Sequence, residues 1–132
     1  MKYAYPAIFT PEDDWILVSF PELPGSFTDG KDIIEAMTFA GDALNLMLTT
    51  LENDEQPIPK PSDIKSLDIP NNSFANMILA DTYAYRKSIS KKSVKKTVSI
   101  PEWLDELIRK KNWNLSQIFQ ESLISKLGIE ST

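Results

Sequence analysis

Residues 3–9 and 15–20 are two runs rich in β-branched and aromatic side chains, the composition that suits a pleated, half-covered surface. Between them Thr10-Pro11-Glu12-Asp13-Asp14 has the make-up of a hairpin turn. In the second run Trp15, Leu17 and Ser19 alternate with Ile16, Val18 and Phe20, the period of a strand with one covered face. Pro21 and Pro24-Gly25 end it. Ser26-Phe27-Thr28 is long enough for a short third strand, closed by the turn pair Asp29-Gly30.

The period then changes from two to nearly four. Asp32 stands at an N-cap position, and Glu35 three residues later completes a capping box. Behind it Ile33, Met37, Ala40, Leu44, Met47 and Leu51 recur at three- and four-residue spacing, one apolar face of a helix of about five turns. The methionines on this face are core filler rather than ligands. Pro57, Pro59 and Pro61 make an extended connection, and residues 74–83 return as a strand. The order β-β-β-α-β implies a small antiparallel sheet with a helix on one face, an α+β layer. The other face or edge of the sheet is left to meet a partner.

A second pattern begins near residue 94. Val98 and Ile100 fall on one side of a short strand over residues 94–100, and Lys95, Thr97 and Ser99 on the other. Pro101 ends the strand and suits the first turn of a helix. That helix carries Glu102, Asp105 and Glu106 at its start and Arg109, Lys110 and Lys111 at its end, both favourable to the helix dipole. Trp103, Leu104, Leu107 and Ile108 form its apolar stripe. Asn112-Trp113-Asn114 breaks it, and Asn114 caps a second helix with Gln117 at the capping-box position. Leu115, Ile118, Phe119, Ser122, Leu123 and Leu127 give that helix its buried face, and Gly128 stops it.

Charge separates the same two regions. Residues 1–85 hold 4 Lys/Arg against 14 Asp/Glu, and residues 86–132 hold 10 against 5. The basic residues crowd at the junction, where Arg86, Lys87, Lys91, Lys92, Lys95 and Lys96 precede the next acid at Glu102. The expected division is therefore a folded acidic domain over 1–85, a basic linker over 86–93 and a small basic domain over 94–132.

The composition is globular, with 42% apolar and 25% charged residues among 132. No apolar run approaches the roughly 20 residues of a membrane span, and the first residues lack the apolar core of a secretion signal. A cytoplasmic protein is the expectation. Cysteine and histidine are both absent, which excludes disulfides, thiol catalysis and Ser-His or Cys-His nucleophile pairs, and removes the commonest general base. Asp13, Asp14, Glu22, Asp29 and Asp32 could in principle hold a divalent cation. Turn chemistry and helix capping account for them more simply, so no metal, no cofactor and no catalysis are expected.

One strand and two helices over residues 94–129 fall below the roughly 40 residues at which a domain usually stands alone, and a lone strand leaves backbone groups unpaired. A second copy solves both problems by pairing strands antiparallel and closing a four-helix core. Val98, Ile100, Trp103, Leu107, Ile118, Phe119 and Leu123 are the expected dimerisation residues. The paired strands would form a ribbon of the width the DNA major groove accepts, with Lys95, Thr97 and Ser99 facing base edges. Asn114 and Ser116, with the amides at the start of the second helix, suit a phosphate. Lys91, Lys92 and Lys96 add attraction independent of sequence.

The segment KKTVSIPEWLDELIRKKNWNLSQIFQESLISKLG resembles a ribbon-helix-helix domain of the Arc/MetJ class of repressors. YPAIFTPEDDWILVSFPELPGSFTDGKDIIEAMTFAGDAL resembles the opening domain of HicB antitoxins. It shares the Tyr-Pro start, the Phe-Pro-Glu-Leu-Pro-Gly turn, the Thr-Asp-Gly and the Glu-Ala of the helix. Ser26 stands where many family members carry cysteine. Together the two resemblances leave only the Pro-rich link and residues 84–93 uncovered. They imply a degenerate RNase H-like domain without nuclease chemistry, followed by a ribbon-helix-helix domain.

The function implied is that of an antitoxin in a type II toxin–antitoxin pair. Its N-terminal domain would mask HicA, a small basic ribonuclease that resembles a double-stranded-RNA-binding domain and cleaves mRNA with a catalytic histidine. Its C-terminal domain would bind operator DNA and repress the operon. The resemblance does not choose the toxin-contacting residues, and it leaves open whether dimers pair into tetramers. A ligand-sensing ribbon-helix-helix repressor with no toxin partner is the alternative, and a Mg²⁺-dependent nuclease built on the acidic turns is a third.

Overall fold

Alternation of apolar and polar residues, broken by prolines and aspartates at the turns, folds the first part of the chain into a sheet. A computed structural model describes residues 1–129; residues 130–132, the end of the expected C-terminal domain, lie outside the described residues. The chain divides into two units, Met1–Ser90 and Lys91–Thr132. In the first, strands β1 (Lys2–Glu12), β2 (Trp15–Ser19) and β3 (Phe27–Gly30) precede helix α1 (Ile33–Asn53). A 3₁₀ turn (Ile64–Ser66), strand β4 (Phe74–Asp81) and helix α2 (Thr82–Ile89) follow. The sheet is antiparallel in the order β3-β2-β1-β4. The expected β-β-β-α-β order is observed, with α2 added after it.

Strand β1 contains Pro6 and tolerates it because of register. Pro6 lies opposite Met77, whose own amide turns away to the Asn76 side-chain oxygen at 2.9 Å. The pairing of β1 with β2 begins only at Ile8. The N–H that proline lacks is therefore needed by neither neighbour.

Tyr5, Ala7 and Phe9 of β1, Val18 and Phe20 from and just after β2, and Ile78 and Ala80 of β4 face Ala36, Ala40, Leu44 and Leu48 of α1. The N-cap of α1 is the expected one: the Asp32 carboxylate accepts from the Glu35 amide at 2.8 Å. The buried stripe, however, is rotated from the expected one. It runs through 36, 40, 44 and 48, with Met37, Met47 and Leu51 on its flanks and Ile33 exposed. The cause is a tight backbone contact across the β3–α1 junction. A Cβ on Gly30 would lie 2.4 Å from the Ala36 nitrogen, so β3 and α1 touch where both carry almost no side chain. That contact puts Ala36 in the seam and leaves the first turn outside it.

The alternation predicts one strand over residues 74–83, but β4 stops at Asp81, whose carboxylate caps α2 by accepting from the Ala84 amide at 3.2 Å. Helix α2 is tied to the C-terminal end of α1 through Glu52. That carboxylate accepts from the Tyr3 hydroxyl at 2.7 Å, the Thr82 hydroxyl at 3.0 Å and the Arg86 guanidinium at 3.1 Å. Arg86 also donates to the Asn53 side-chain oxygen at 2.7 Å. Burial would raise the Glu52 pKa, but donors from Tyr3, Arg86 and Thr82 and the Arg86 charge outweigh it and hold the carboxyl below its ordinary value. Burial, then donation to Glu52, pushes the Tyr3 phenol well above the usual range.

These contacts correct the expected domain boundary. Arg86 belongs to the first unit, which continues through Ser90 instead of ending at residue 85. With that boundary the first unit holds 6 Lys/Arg against 14 Asp/Glu, and the second 8 against 5.

In the second unit, helices α3 (Glu102–Ile108) and α4 (Leu115–Leu127) lie where the pattern placed them. Asn114 caps α4 by accepting from the Gln117 amide at 3.1 Å, and Gly128 ends it in the left-handed conformation with φ 74. The strand expected over residues 94–100 is not formed: residues 91–101 are neither helix nor strand in the single chain. A strand exists only through its ladder, and this segment has no ladder partner among the described residues.

Candidate functional site

Helix α1 covers one face of the sheet. The opposite face is built by the alternate residues: Phe27 and Asp29 on β3, Leu17 on β2, Ile8 and Pro6 on β1, and Met77 and Leu79 on β4. Register brings them side by side, with Phe27 opposite Ser19, Ser19 opposite Ile8, and Ile8 opposite Ala75. Next to these rows lie the pairs Pro6–Met77 and Ala4–Leu79. Leu79 and Phe27 are 78% and 73% exposed, and Leu17, Met77 and Trp15 are also exposed. The exposed large side chains fall in two groups, Trp15, Leu17 and Phe27 on β2 and β3 and Met77 and Leu79 on β4, with the buried Pro6 and half-buried Ile8 of β1 between them; exposed apolar groups of this size mark an interaction surface.

Acids rim this face at one end. Asp29 lies opposite Leu17, and Glu12, Asp13 and Asp14 follow at the β1–β2 turn, where Asp13 takes a positive φ of 53. Asp32 is engaged at the cap of α1, and Glu22 accepts from the Ser62 amide at 3.2 Å. Among the described residues no group of three or more acidic, His or Cys side chains is assembled to hold a metal. Alternation along β2 was readable in the sequence, but the lateral order that puts Leu17, Met77 and Leu79 on one face of the same sheet, on either side of β1, was not. It depends on β4 returning beside β1.

The residues expected to bind DNA fall in two places. Lys91, Lys92, Lys95, Lys96, Thr97 and Ser99 all lie in the exposed segment before α3, and the ribbon that would align them is not formed in the single chain. Asn114 and Ser116 lie together at the start of α4. The expected dimerisation residues are uncovered. Trp103 and Leu107 are 63% and 65% exposed, Val98, Ile100, Ile118 and Leu123 are exposed too, and Phe119 is half-buried. No described residue of the second unit is fully buried.

Among the described residues no helix is long and apolar enough to cross a membrane.

Known proteins resemble the chain in both sequence and structure. The family model described as a HicB-like antitoxin of bacterial toxin–antitoxin systems matches residues 5–121. Antitoxin HicB of Escherichia coli K12 is 30% identical over 84 residues, which are 60% of this chain and 61% of that protein. An uncharacterized 14.9 kDa protein of Haemophilus phage HP1 is 31% identical over 61 residues, 46% of each chain. The chain thus spans about three-fifths or less of the length of these curated relatives. A chain of a toxin–antitoxin complex from Streptococcus pneumoniae superposes with a TM-score of 0.63 at 30% identity, over 96% of this chain and 99% of that one. The Burkholderia pseudomallei antitoxin HicB shares the fold, with a TM-score of 0.51 at 18% identity over 96% of this chain and 98% of that one. With a family match running from β1 into α4, this chain belongs to the HicB-like antitoxin family of bacterial toxin–antitoxin systems.

Proposed function

We propose that the chain is an antitoxin and autorepressor. Its first unit binds and masks a small basic mRNA-cleaving toxin of the HicA type. Its second unit dimerises and binds operator DNA as a ribbon-helix-helix domain. The observation that carries this reading is the asymmetry of the two units: an acidic unit closed around its own core, and a basic unit in which no described residue is fully buried. An apolar stripe this exposed is stable only when a second surface covers it. A second copy would also give residues 94–100 the ladder they lack and turn Lys95, Thr97 and Ser99 outward as one row. Lys91, Lys92 and Lys96 would then lie along the DNA backbone, with Asn114 and Ser116 on a phosphate.

The acidic first unit suits a partner that must be basic to bind RNA. The chain works in the cytoplasm, where operator and mRNA are met together, and performs no catalysis of its own. The test is a growth assay in which the toxin of the adjoining reading frame is expressed with residues 1–90 or with the full chain. Rescue of arrested growth by both is the expected result. Arrest that neither relieves would overturn the antitoxin reading.

A further inference from the structure

We propose that Ser93 is a phosphorylation site for a serine/threonine kinase that selects basic sequences, and that the phosphoryl group it receives releases the chain from operator DNA. The inference rests on the DNA-binding reading above and adds a switch for it.

Three observations select this hydroxyl. It stands inside Lys91-Lys92-Ser93-Val94-Lys95-Lys96, with two lysines before it, an aliphatic side chain after it and two more lysines beyond. Kinases tell their substrates apart by charge pattern, and acidic groups lining a kinase groove would meet cations on both sides of this target. Ser93 is also exposed, in a stretch over residues 91–101 that is neither helix nor strand. Such a backbone can lie extended in a groove without first being unfolded. Finally, Ser93 precedes the segment 94–100 that a second copy would pair, so it stays reachable in monomer and dimer alike.

Two neighbouring stretches show what this placement adds. The pattern of two basic residues, a hydroxyl and a β-branched residue recurs at Arg86-Lys87-Ser88-Ile89 and at Lys95-Lys96-Thr97-Val98. Ser88 is held in α2, where its hydroxyl donates to the Tyr85 carbonyl at 2.7 Å. Thr97 falls inside the segment that the ribbon would take up. Of these three hydroxyls, that of Ser93 is the one both clear of regular structure and outside the ribbon.

In the transfer the Ser93 hydroxyl oxygen bonds to the γ-phosphorus of ATP while the bond from that phosphorus to the β–γ bridging oxygen breaks. ADP leaves, and the hydroxyl proton passes to the catalytic carboxylate of the kinase. The product carries a charge of about −2 at neutral pH. The run from Lys91 to Lys96 holds four lysines and no acid, so about half of its positive charge is cancelled. The phosphoryl oxygens accept from those lysines in place of DNA phosphates, and phosphate contacts are what supply affinity independent of sequence.

The test has two arms. The chain is recovered from its native cells in growth and in stationary phase, with phosphatases inhibited, and its peptides are analysed by mass spectrometry. Phosphate on Ser93 is expected. In the second arm phosphoserine is incorporated in place of Ser93 during synthesis of the full chain. Binding to a duplex carrying the promoter of its own operon is then followed by fluorescence anisotropy at several salt concentrations. Affinity is expected to fall more than tenfold at fixed salt. With two chains in each dimer, the slope of log K against log salt should flatten by about 3–4. Ser93→Ala should bind as wild type does, and Ser93→Glu, with its single charge, should fall between. Sedimentation should show an unchanged dimer.

Ser93 without phosphate in both growth phases would overturn the proposal. So would a phosphorylated chain that binds the duplex as tightly as wild type, or one that loses binding because it no longer dimerises. Failure of the unmodified wild-type chain to bind the duplex would instead refute the DNA-binding reading.

Discussion

Replacing Glu52 with alanine removes the acceptor shared by Tyr3, Thr82 and Arg86 and should loosen α2 from the rest of the first unit. Each donor approaches within 3.1 Å, and a hydrogen bond to a charged group contributes about 1.5–3 kcal/mol. The sum overstates the loss. The Arg86 and Glu52 side chains are 37% and 18% exposed, so water screens the ion pair and solvates the freed donors. A net loss of about 2–4 kcal/mol is expected, which in a unit of this size lowers Tm by roughly 10–20 °C. Urea unfolding in a Trp103→Phe, Trp113→Phe background would let Trp15 alone report the first unit.

The pH dependence gives a second reading of the same contact. Glu52 is held below its ordinary 4.5, so the folded state takes up the proton less readily than the unfolded chain. The extra stability is complete above about pH 4.5 and is lost as pH falls through the lower folded value. Wild type and Glu52→Ala should therefore converge in acid. A difference below about 0.5 kcal/mol at neutral pH, or one independent of pH, would refute the network's role.

Other positions yield equally direct expectations. Gly30→Ala should cost about 1–3 kcal/mol, because its Cβ would lie 2.4 Å and 2.7 Å from backbone atoms of Ala36, neither of which can swing aside; an unchanged Tm would show that β3 and α1 are not so close. The Ser26 hydroxyl is buried without a hydrogen-bond partner, so Ser26→Ala should stabilise the first unit by about 1 kcal/mol, and a fall in Tm would contradict this. Lys95→Ala and Thr97→Ala should each lose about 1–3 kcal/mol of operator binding at fixed salt and relax specificity; unchanged affinity in both would remove the ribbon from the interface. Residues 91–132 alone should sediment as a dimer at micromolar concentration, and a folded monomer would disprove the shared core.

What the sequence revealed and what it hid differ in range rather than in element type. The α1 cap, the alternation in β2, the Asn114 cap and the Gly128 stop are all decided within a few residues, and each is where the pattern put it. The rotation of the α1 stripe is decided only six residues away, by Gly30 packing on Ala36, but no residue pattern marks so close a backbone approach, and Asp29-Gly30 looked locally like nothing more than a turn. Helix α2 had local signals too, an Asp81 cap and the late basic pair Arg86-Lys87. The apolar alternation of residues 74–83 overran them, because Tyr83 and Tyr85 suit a strand as well as a short helix. Its stability comes from Glu52 and Tyr3, far away in the chain.

The case of residues 94–100 is different, because there the alternation is clear and the element is still not formed. Pattern states which side chains would share a face, whereas a strand also needs another backbone to pair with. In the first unit β1 finds that backbone within the chain, on both sides, and the core closes. In the second unit Val98 and Ile100 alternate as cleanly as Val18 and Phe20, yet no described strand pairs with them. The two units thus depend on concentration in opposite ways. The first unit can fold at any dilution, whereas in the second α3 and α4 form in the single chain and, on the proposed reading, only the ribbon and the shared core would wait for a second copy. On the reading proposed here, a fall in antitoxin concentration would release the operator before it impaired the fold that masks the toxin.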